Sequence, residues 1–260
     1  MMDDTNNGVP AVERALNILE YIGNKKTKVT VKEVSDYLDI PIASAIRIVK
    51  TLVNRGYLVE SKGGASSFTL GLRILHLSQG VIKNTDLVAL AIKHMRVLSS
   101  ETNQASQLAI LQQNSVIYIE QVLSTKSVSI IAPLHTPITL NTSASGKVLC
   151  AWRTSEQQKK IVEPAEFIKA TDRSIVNKKL FYKELENVKI KGYAIDDEEF
   201  AIGIGCMAVP VFDYTNEIIA AIGITGHISA YKNQNELKTI LASMKQTAAK
   251  ISGELGYIAK

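Results

Sequence analysis

Ala43, Arg47, Lys50 and Asn54 follow one another at spacings of four, three and four residues. On a helix that advances 100° per residue, this spacing gathers all four on one face. The face carries a guanidinium, an ammonium and a carboxamide, and no acid. Arginine and lysine donate to O6 and N7 of guanine, so the set suits the edge of a base pair in a major groove. Arg47 is best placed to read a base, and Lys50 to read a base or hold a phosphate. Ala43 and Ile46 are short or apolar enough to touch a thymine methyl, and Ser44 adds a hydroxyl at the same end.

Such a face needs an element to carry it and neighbours to aim it. Ala45, Ile48, Val49 and Leu52 form an apolar stripe on the opposite side, Pro41 suits a first turn, and Gly56 ends the run. Upstream, Val12, Ala15, Leu16, Leu19 and Ile22 mark the buried face of a first helix that stops in the turn from Gly23 to Lys26. Thr30 and Glu33 have the spacing of a capping box, which opens a second helix reaching about Leu38. Tyr57 to Glu60 and Phe68 to Leu70 then read as strands joined through Gly63-Gly64. Three helices followed by a two-stranded hairpin make a winged helix-turn-helix, with Lys62 at the wing turn placed for a phosphate. Between positions 40 and 75 five bases, Arg47, Lys50, Arg55, Lys62 and Arg73, face one acid, Glu60. That segment is the candidate phosphate-facing surface.

Helical periodicity resumes from Leu72 to Ser100 through Leu75, Ile82, Leu90, Met95 and Leu98, read as a linker helix and the first helix of a second domain. Beyond it, strands at Leu108 to Leu111, Val116 to Gln121, Val128 to Ile131, Met207 to Val211 and Ile218 to Ile224 alternate with helices after Ser143, Ser174 and Asn235. The expected organisation is α+β: a winged helix-turn-helix over 1–71, a linker helix over 72–92 and a sensor-type domain over 93–260.

Composition narrows the function classes. The 260 residues are 46% hydrophobic and 21% charged with net charge +5, as in an ordinary globular protein able to build a core. Apolar stretches such as Leu87 to Ile92 fall far short of the roughly 18 residues of a membrane span. Met1 to Asn7 is polar and acidic, unlike a secretory leader, so a cytoplasmic protein is expected. Cys150 and Cys206 lack pairing or metal-ligand spacing and read as reduced, buried thiols. No G-x-S-x-G elbow, H-E-x-x-H helix or P-loop occurs, and Gly203-Ile204-Gly205 is only a fragment of a dinucleotide loop. No catalytic residue, metal or cofactor is expected. The competing sketch is a cysteine-dependent hydrolase or acyl-transferase built from Cys206, His227 and Asp196.

The chain resembles the IclR family of bacterial transcriptional regulators. The resemblance rests on Ala11-Val12-Glu13-Arg14-Ala15-Leu16, on Arg47-Ile48-Val49-Lys50-Thr51-Leu52 with Arg55-Gly56-Tyr57-Leu58, and on Thr69-Leu70-Gly71. In the second half it rests on Ala144-Ser145-Gly146-Lys147-Val148-Leu149, on Gly192-Tyr193 and the run to Glu199, and on Gly205-Cys206-Met207-Ala208-Val209-Pro210. Ile42 and Ala43 stand where that family usually has lysine and serine, and His135 and Asn141 where glycine and histidine are expected.

The resemblance implies a homodimer or homotetramer that binds a double-stranded DNA operator and a small carboxylate effector, the latter in a GAF-like domain. Ser143-Ala144-Ser145-Gly146 opens a helix whose first amides and positive dipole end suit an anion. By the same resemblance Asp196, Cys206, Gly223 and Thr225 supply the rest of the pocket, with Ile130 and Ile138 as its apolar wall.

Overall fold

The computed structural model describes residues 9–25, 27–61, 66–77, 86–124 and 131–258. It divides into two compact units, Met1–Thr85 and Asp86–Lys260, and the division falls inside the segment expected as a linker.

In the first unit α1 (Pro10–Gly23), β1 (Val29–Thr30), α2 (Val31–Leu38), α3 (Ile42–Asn54), β2 (Leu58–Ser61) and β3 (Ser67–Leu70) form a winged helix-turn-helix. The capping box at the head of α2 is complete: Thr30 Oγ1 accepts from the Glu33 amide at 3.3 Å, and Glu33 accepts from the Thr30 amide at 2.7 Å. Asp39 ends α2 in a left-handed turn. On α3 Ala45, Val49 and Leu52 are buried and Ile48 half-buried, as the periodicity requires. Two details depart from expectation. β1 adds a third strand by pairing with β3, giving the order β1-β3-β2. In α1 the buried face is Ile18 and Ile22 with Ala15 and Leu19 beside them, whereas Val12 and Leu16 are each 54% exposed. Ile18 lies three residues from Ala15 and four from Ile22, and that row, not the one through Val12 and Leu16, meets the core around Val34, Val49 and Phe68.

Residues 73–77 are helical (α4); Ile82 and the rest of the expected linker up to 85 lie outside the described residues, as do the Gly63-Gly64 turn and Lys62. The linker is expected to run through 92, yet Leu87 to Ile92 belongs to α5 (Leu87–Thr102), a helix of the second unit.

The second unit is built on a wholly antiparallel sheet of β4 (Ala105–Gln112), β5 (Ser115–Val122), β6 (Pro137–Ile138), β7 (Ala194–Asp197), β8 (Ile204–Phe212) and β9 (Ile218–His227), in the order β6-β5-β4-β9-β8-β7. Helices cover both faces. α6 (Ala144–Ala151) and α8 (Lys178–Lys191) pack with Tyr118, Ala208 and Ala221 on one side. α5 and α10 (Gln234–Glu254) pack with Leu108, Met207, Val209 and Ile222 on the other. Central strands covered twice need apolar residues on both faces, which is why β9 reads as a run and not as an alternation. This is the α+β, GAF-like arrangement expected. α8 starts after Asn177, not Ser174, because the Asn177 carboxamide takes the amides of Lys179 and Leu180. Likewise Asn233 caps α10, so that helix begins before Asn235. α7 (Ser155–Val162) and the short α9 (Ser229–Lys232) add to the helices expected from sequence. Of the strand expected at Val128 to Ile131, positions 128–130 lie outside the described residues, and Ile131 is not in a strand.

Candidate functional site

Two separate surfaces carry chemistry, one in each unit. On α3, Ala43, Ile46, Arg47, Lys50 and Asn54 are exposed and Ser44 is half-buried. Burial of Ala45 and Val49 against α1 and α2 is what turns Arg47 and Lys50 outward, and neither forms an ion pair among the described residues. Ile46, Lys50 and Asn54 also line a groove of about 600 Å³, whose far wall is the start of α2 at Thr30, Ser66 and the β3 residue Phe68. The helix face is therefore flanked by a helix N-terminus and a wing, the two elements that grip phosphates on either side of a groove.

In the second unit a small cavity of about 70 Å³ opens beside the N-terminus of α6. Its polar lining is Tyr118, Thr142, Asp196, Cys206 and Thr225, and Ile138 and Phe200 are among its apolar walls. Asp196, Cys206 and Thr225 come together because β7, β8 and β9 are neighbours: Asp196 pairs with Cys206, and Cys206 with Thr225, straight across the sheet. Asp196 is wholly buried. Its Oδ1 accepts from the amides of Glu199 at 2.6 Å and Phe200 at 3.3 Å, while its Oδ2 has no partner. Burial pushes the Asp196 carboxyl above the usual range, against the pull of those amides and of Lys147. The Thr225 hydroxyl is within reach of Gln107 Oε1 at 3.2 Å and Cys206 Sγ at 3.3 Å.

Ala144, Ser145 and Gly223 are buried behind this lining and do not face the cavity themselves. Ser143 caps α6, its hydroxyl accepting from the Gly146 amide at 3.3 Å, and the Tyr118 hydroxyl stands 3.4 Å from Ser143 Oγ. Burial, the largest cause, holds the Tyr118 phenol far above its ordinary pKa, so it is a neutral donor beside the helix end. Ile130 lies outside the described residues.

Gly146 fixes how closely α6 can approach the sheet. A Cβ there would stand 2.6 Å from the Leu140 carbonyl oxygen and 3.0 Å from Val116 Cγ2, and the first of these is backbone that cannot swing aside. Gly146→Ala is therefore expected to cost about 1–3 kcal/mol through overpacking. Thermal unfolding of the variant checks this; an unchanged midpoint would mean that α6 can shift freely.

Sequence reasoning does not single out Tyr118, Thr142, Lys147 or Glu199. Tyr118 shares a face of β5 with Val116, two residues earlier, which is a usable signal. Lys147 is 1% exposed, and its ammonium meets Glu199 Oε1 at 2.6 Å. Asn141, where the family pattern has histidine, is wholly buried and donates to the Ile168 and Ile175 carbonyls while accepting from the Ile168 amide. It ties the loop before α8 to the turn before α6. His135 adopts a left-handed backbone, φ 58°, which accounts for the glycine preferred there.

The hydrolase sketch does not assemble. His227 is exposed and bonded to Ser229 at 2.9 Å, and it pairs with Ile204, not Cys206. Cys206 is half-buried, not buried like Cys150, and desolvation keeps its thiol protonated, with the Asp196 charge as a second cause. A catalytic thiol needs a base that draws off its proton; His227 does not reach Cys206, and the neighbouring Asp196 raises the thiol's pKa and does not lower it.

The model of the IclR helix-turn-helix domain matches residues 11–61, and that of the bacterial transcriptional regulator IclR C-terminal region matches 79–253. The chain is 28% identical over 256 residues to the HTH-type transcriptional regulator KdgR of Escherichia coli K12, covering 98% of this chain and 96% of that one. It is likewise 28% identical over 254 residues to the HTH-type transcriptional repressor AllR of Salmonella paratyphi A, covering 96% and 91%. A solved IclR-type regulator from Silicibacter sp. TM1040 superposes with a TM-score of 0.84 over 97% of this chain and 98% of that one at 17% identity, which speaks to the fold. These relatives are regulators of transcription, not enzymes.

Proposed function

The chain belongs to the IclR family of bacterial transcriptional regulators, and from that premise we propose that it is a ligand-responsive repressor whose effector is a small organic acid. It binds a pseudo-palindromic operator as a homodimer or homotetramer, with Ala43, Ser44, Ile46, Arg47, Lys50 and Asn54 addressing the major groove and Lys62 a phosphate on the wing side. The outward turn of Arg47 and Lys50, beside the groove under the wing, supports the DNA reading. Among its relatives AllR is named a repressor, which supports the direction of control.

The effector reading is carried by one observation: Asp196 presents a buried carboxyl with an unpartnered oxygen at a cavity next to a helix N-terminus. An acid end of the ligand is served by the Tyr118 hydroxyl and by the positive dipole end of α6, whose first residues, Ala144 and Ser145, stand behind the lining. Its other end offers a hydroxyl or hydrated carbonyl to Asp196, with Thr225 and Cys206 alongside, Gly223 packed behind them and Ile138 in the apolar wall, to which the family resemblance adds Ile130. A 2-oxo acid, a sugar acid or an aromatic carboxylate meets that description. The cavity is small, about 70 Å³, which favours the smaller of these acids.

Selection of bound duplexes from a random pool by the full chain, followed by a thermal-shift screen of small carboxylates, tests both halves. Ligand binding raises the midpoint as occupancy grows, and failure of every acid to do so removes the effector reading. Binding to the selected duplex should weaken about tenfold or more between roughly 50 and 200 mM salt as phosphate contacts release counterions. An affinity that ignores salt would contradict a phosphate-facing surface.

A further inference from the structure

Behind the cavity lies a cluster of charges for which effector binding gives no account. Lys147 reaches from α6 to the turn that follows β7, where its ammonium donates to Glu199 Oε1 at 2.6 Å and to the Ile195 carbonyl at 2.8 Å. Asp196 grips the same turn through the Glu199 and Phe200 amides. Two buried carboxyls therefore share one buried ammonium. One oxygen of each, Asp196 Oδ2 and Glu199 Oε2, has no hydrogen-bond partner. A desolvated carboxylate beside another of the same sign favours taking up a proton, and one lysine can neutralise only one of the two.

Among the described residues no cation other than Lys147 pairs with either carboxyl. Glu184 on α8 adds a further negative charge toward Glu199. On the open side of Glu199 a cleft of about 400 Å³ presents Asp197, Tyr231 and Lys232. Asp197 is already engaged by Arg173 at 2.5 Å, Tyr231 is a neutral phenol raised by burial, and Lys232 is an exposed lysine at the cleft wall. From β8, Cys206 contributes a protonated thiol. Toward this turn Thr171 and Ser174 donate to the backbone carbonyls of Glu198 and Glu199 and not to the carboxyls.

We propose that Lys147, Asp196 and Glu199 form a buried site for one exchangeable proton, whose occupancy sets how firmly α6 is tied to the turn after β7. With the proton bound the cluster is neutral, one carboxylate facing one ammonium. Without it, a second buried carboxylate is unscreened and pushes against the first across the Asp196–Phe200 turn. Asp196 and Phe200 both line the cavity, so the protonation state is felt there. The proton site stands without the effector reading; only its use by a ligand rests on that reading.

Burial, the largest cause, pushes the Glu199 carboxyl up to about 7 against the pull of Lys147. Its folded pKa exceeds its unfolded one, so the folded chain holds the extra proton between about 4.5 and about 7. Stability from this group is then fully present at the acid end, declines as pH rises through that window and is level above it.

The experiment compares thermal unfolding of the full chain and of Glu199→Gln across that window and about one pH unit beyond it. Glutamine mimics the protonated acid, so the wild-type midpoint should fall with rising pH relative to the variant, and the two profiles should converge toward the acid end. Parallel profiles would overturn the proposal. Should the variant fail to fold, carbon-13 titration of the side-chain carboxyls in the wild-type chain decides. One buried carboxyl resonance should move near neutrality, and titration of every carboxyl below about pH 5.5 would refute the site.

Discussion

Arg47→Ala is expected to erase most of the discrimination between the operator and a scrambled duplex, at a cost of about 1–3 kcal/mol for each half-site. Three observations set the size of that effect. Arg47 sits mid-face on α3, its stem rises from a helix anchored by the buried Ala45 and Val49, and no acid among the described residues competes for its guanidinium. A bidentate donor so held loses its guanine contact outright on truncation, because Ala43 and Ile46 carry no donor that could replace it. Lys50→Ala should behave differently if Lys50 holds a phosphate: both duplexes weaken alike, and the salt dependence falls by about one counterion. Anisotropy titrations of both variants on both duplexes separate the roles. Unaltered discrimination with Arg47→Ala would remove Arg47 from base reading, whatever its effect on total affinity.

That α3 can be read from sequence follows from its physics. Its buried stripe and the capping box one helix earlier are local signals of spacing three and four and appear in the structure where the spacing puts them, whereas Pro41 stands one residue outside the first turn, as the N-cap. α1 shows how the same rule fails. It is apolar around much of its circumference, so periodicity admits more than one stripe, and only the tertiary partners select Ile18 over Val12 and Leu16. α7 fails for the opposite reason. Its capping box, Thr154 with Gln157, is present, yet six of the eight residues of Ser155–Val162 are polar or charged, so no stripe announces a helix.

In the second unit the strands expected at Met207 to Val211 and Ile218 to Ile224 lie within β8 and β9, and Cys206 and Thr225 each stand one residue beyond the expected spans. The register that aligns both with Asp196 is set by how β7, β8 and β9, consecutive in the chain, pair with one another, and apolar runs do not encode a register. Lys147 and Glu199 are 52 residues apart and for that reason escape a local reading, although a lysine embedded in Val148-Leu149-Cys150-Ala151, with small residues before it, already points to a helix with no solvent face. Ser174 has the residue type of a helix start. Its hydroxyl instead accepts from the Ala170 and Thr171 amides and donates to the Glu199 carbonyl, bracing the turn that carries Asp196.

That brace makes Asp196→Asn the sharpest test of the effector reading. Alanine would orphan the Glu199 and Phe200 amides and disturb the turn, so a loss of binding could be blamed on misfolding. Asparagine keeps the accepting Oδ1 and exchanges the unpartnered Oδ2 for an NH₂ donor. The turn should survive, while the cavity changes from a site that accepts a hydrogen bond to one that gives it. A hydroxylated acid then meets donor against donor and loses a bond to a charged group, about 1.5–3 kcal/mol, or roughly ten- to hundredfold in affinity. An acid without a hydroxyl should lose far less, and DNA binding in the absence of ligand should be untouched, because Asp196 belongs to the unit that lacks α3. Calorimetric titration of the full chain with the acid that gives the largest thermal shift, beside operator binding without ligand, measures both. Wild-type affinity in a folded chain carrying Asp196→Asn would move the ligand away from this cavity altogether. Loss of operator binding alongside would instead mean that the carboxylate serves the fold and not the ligand.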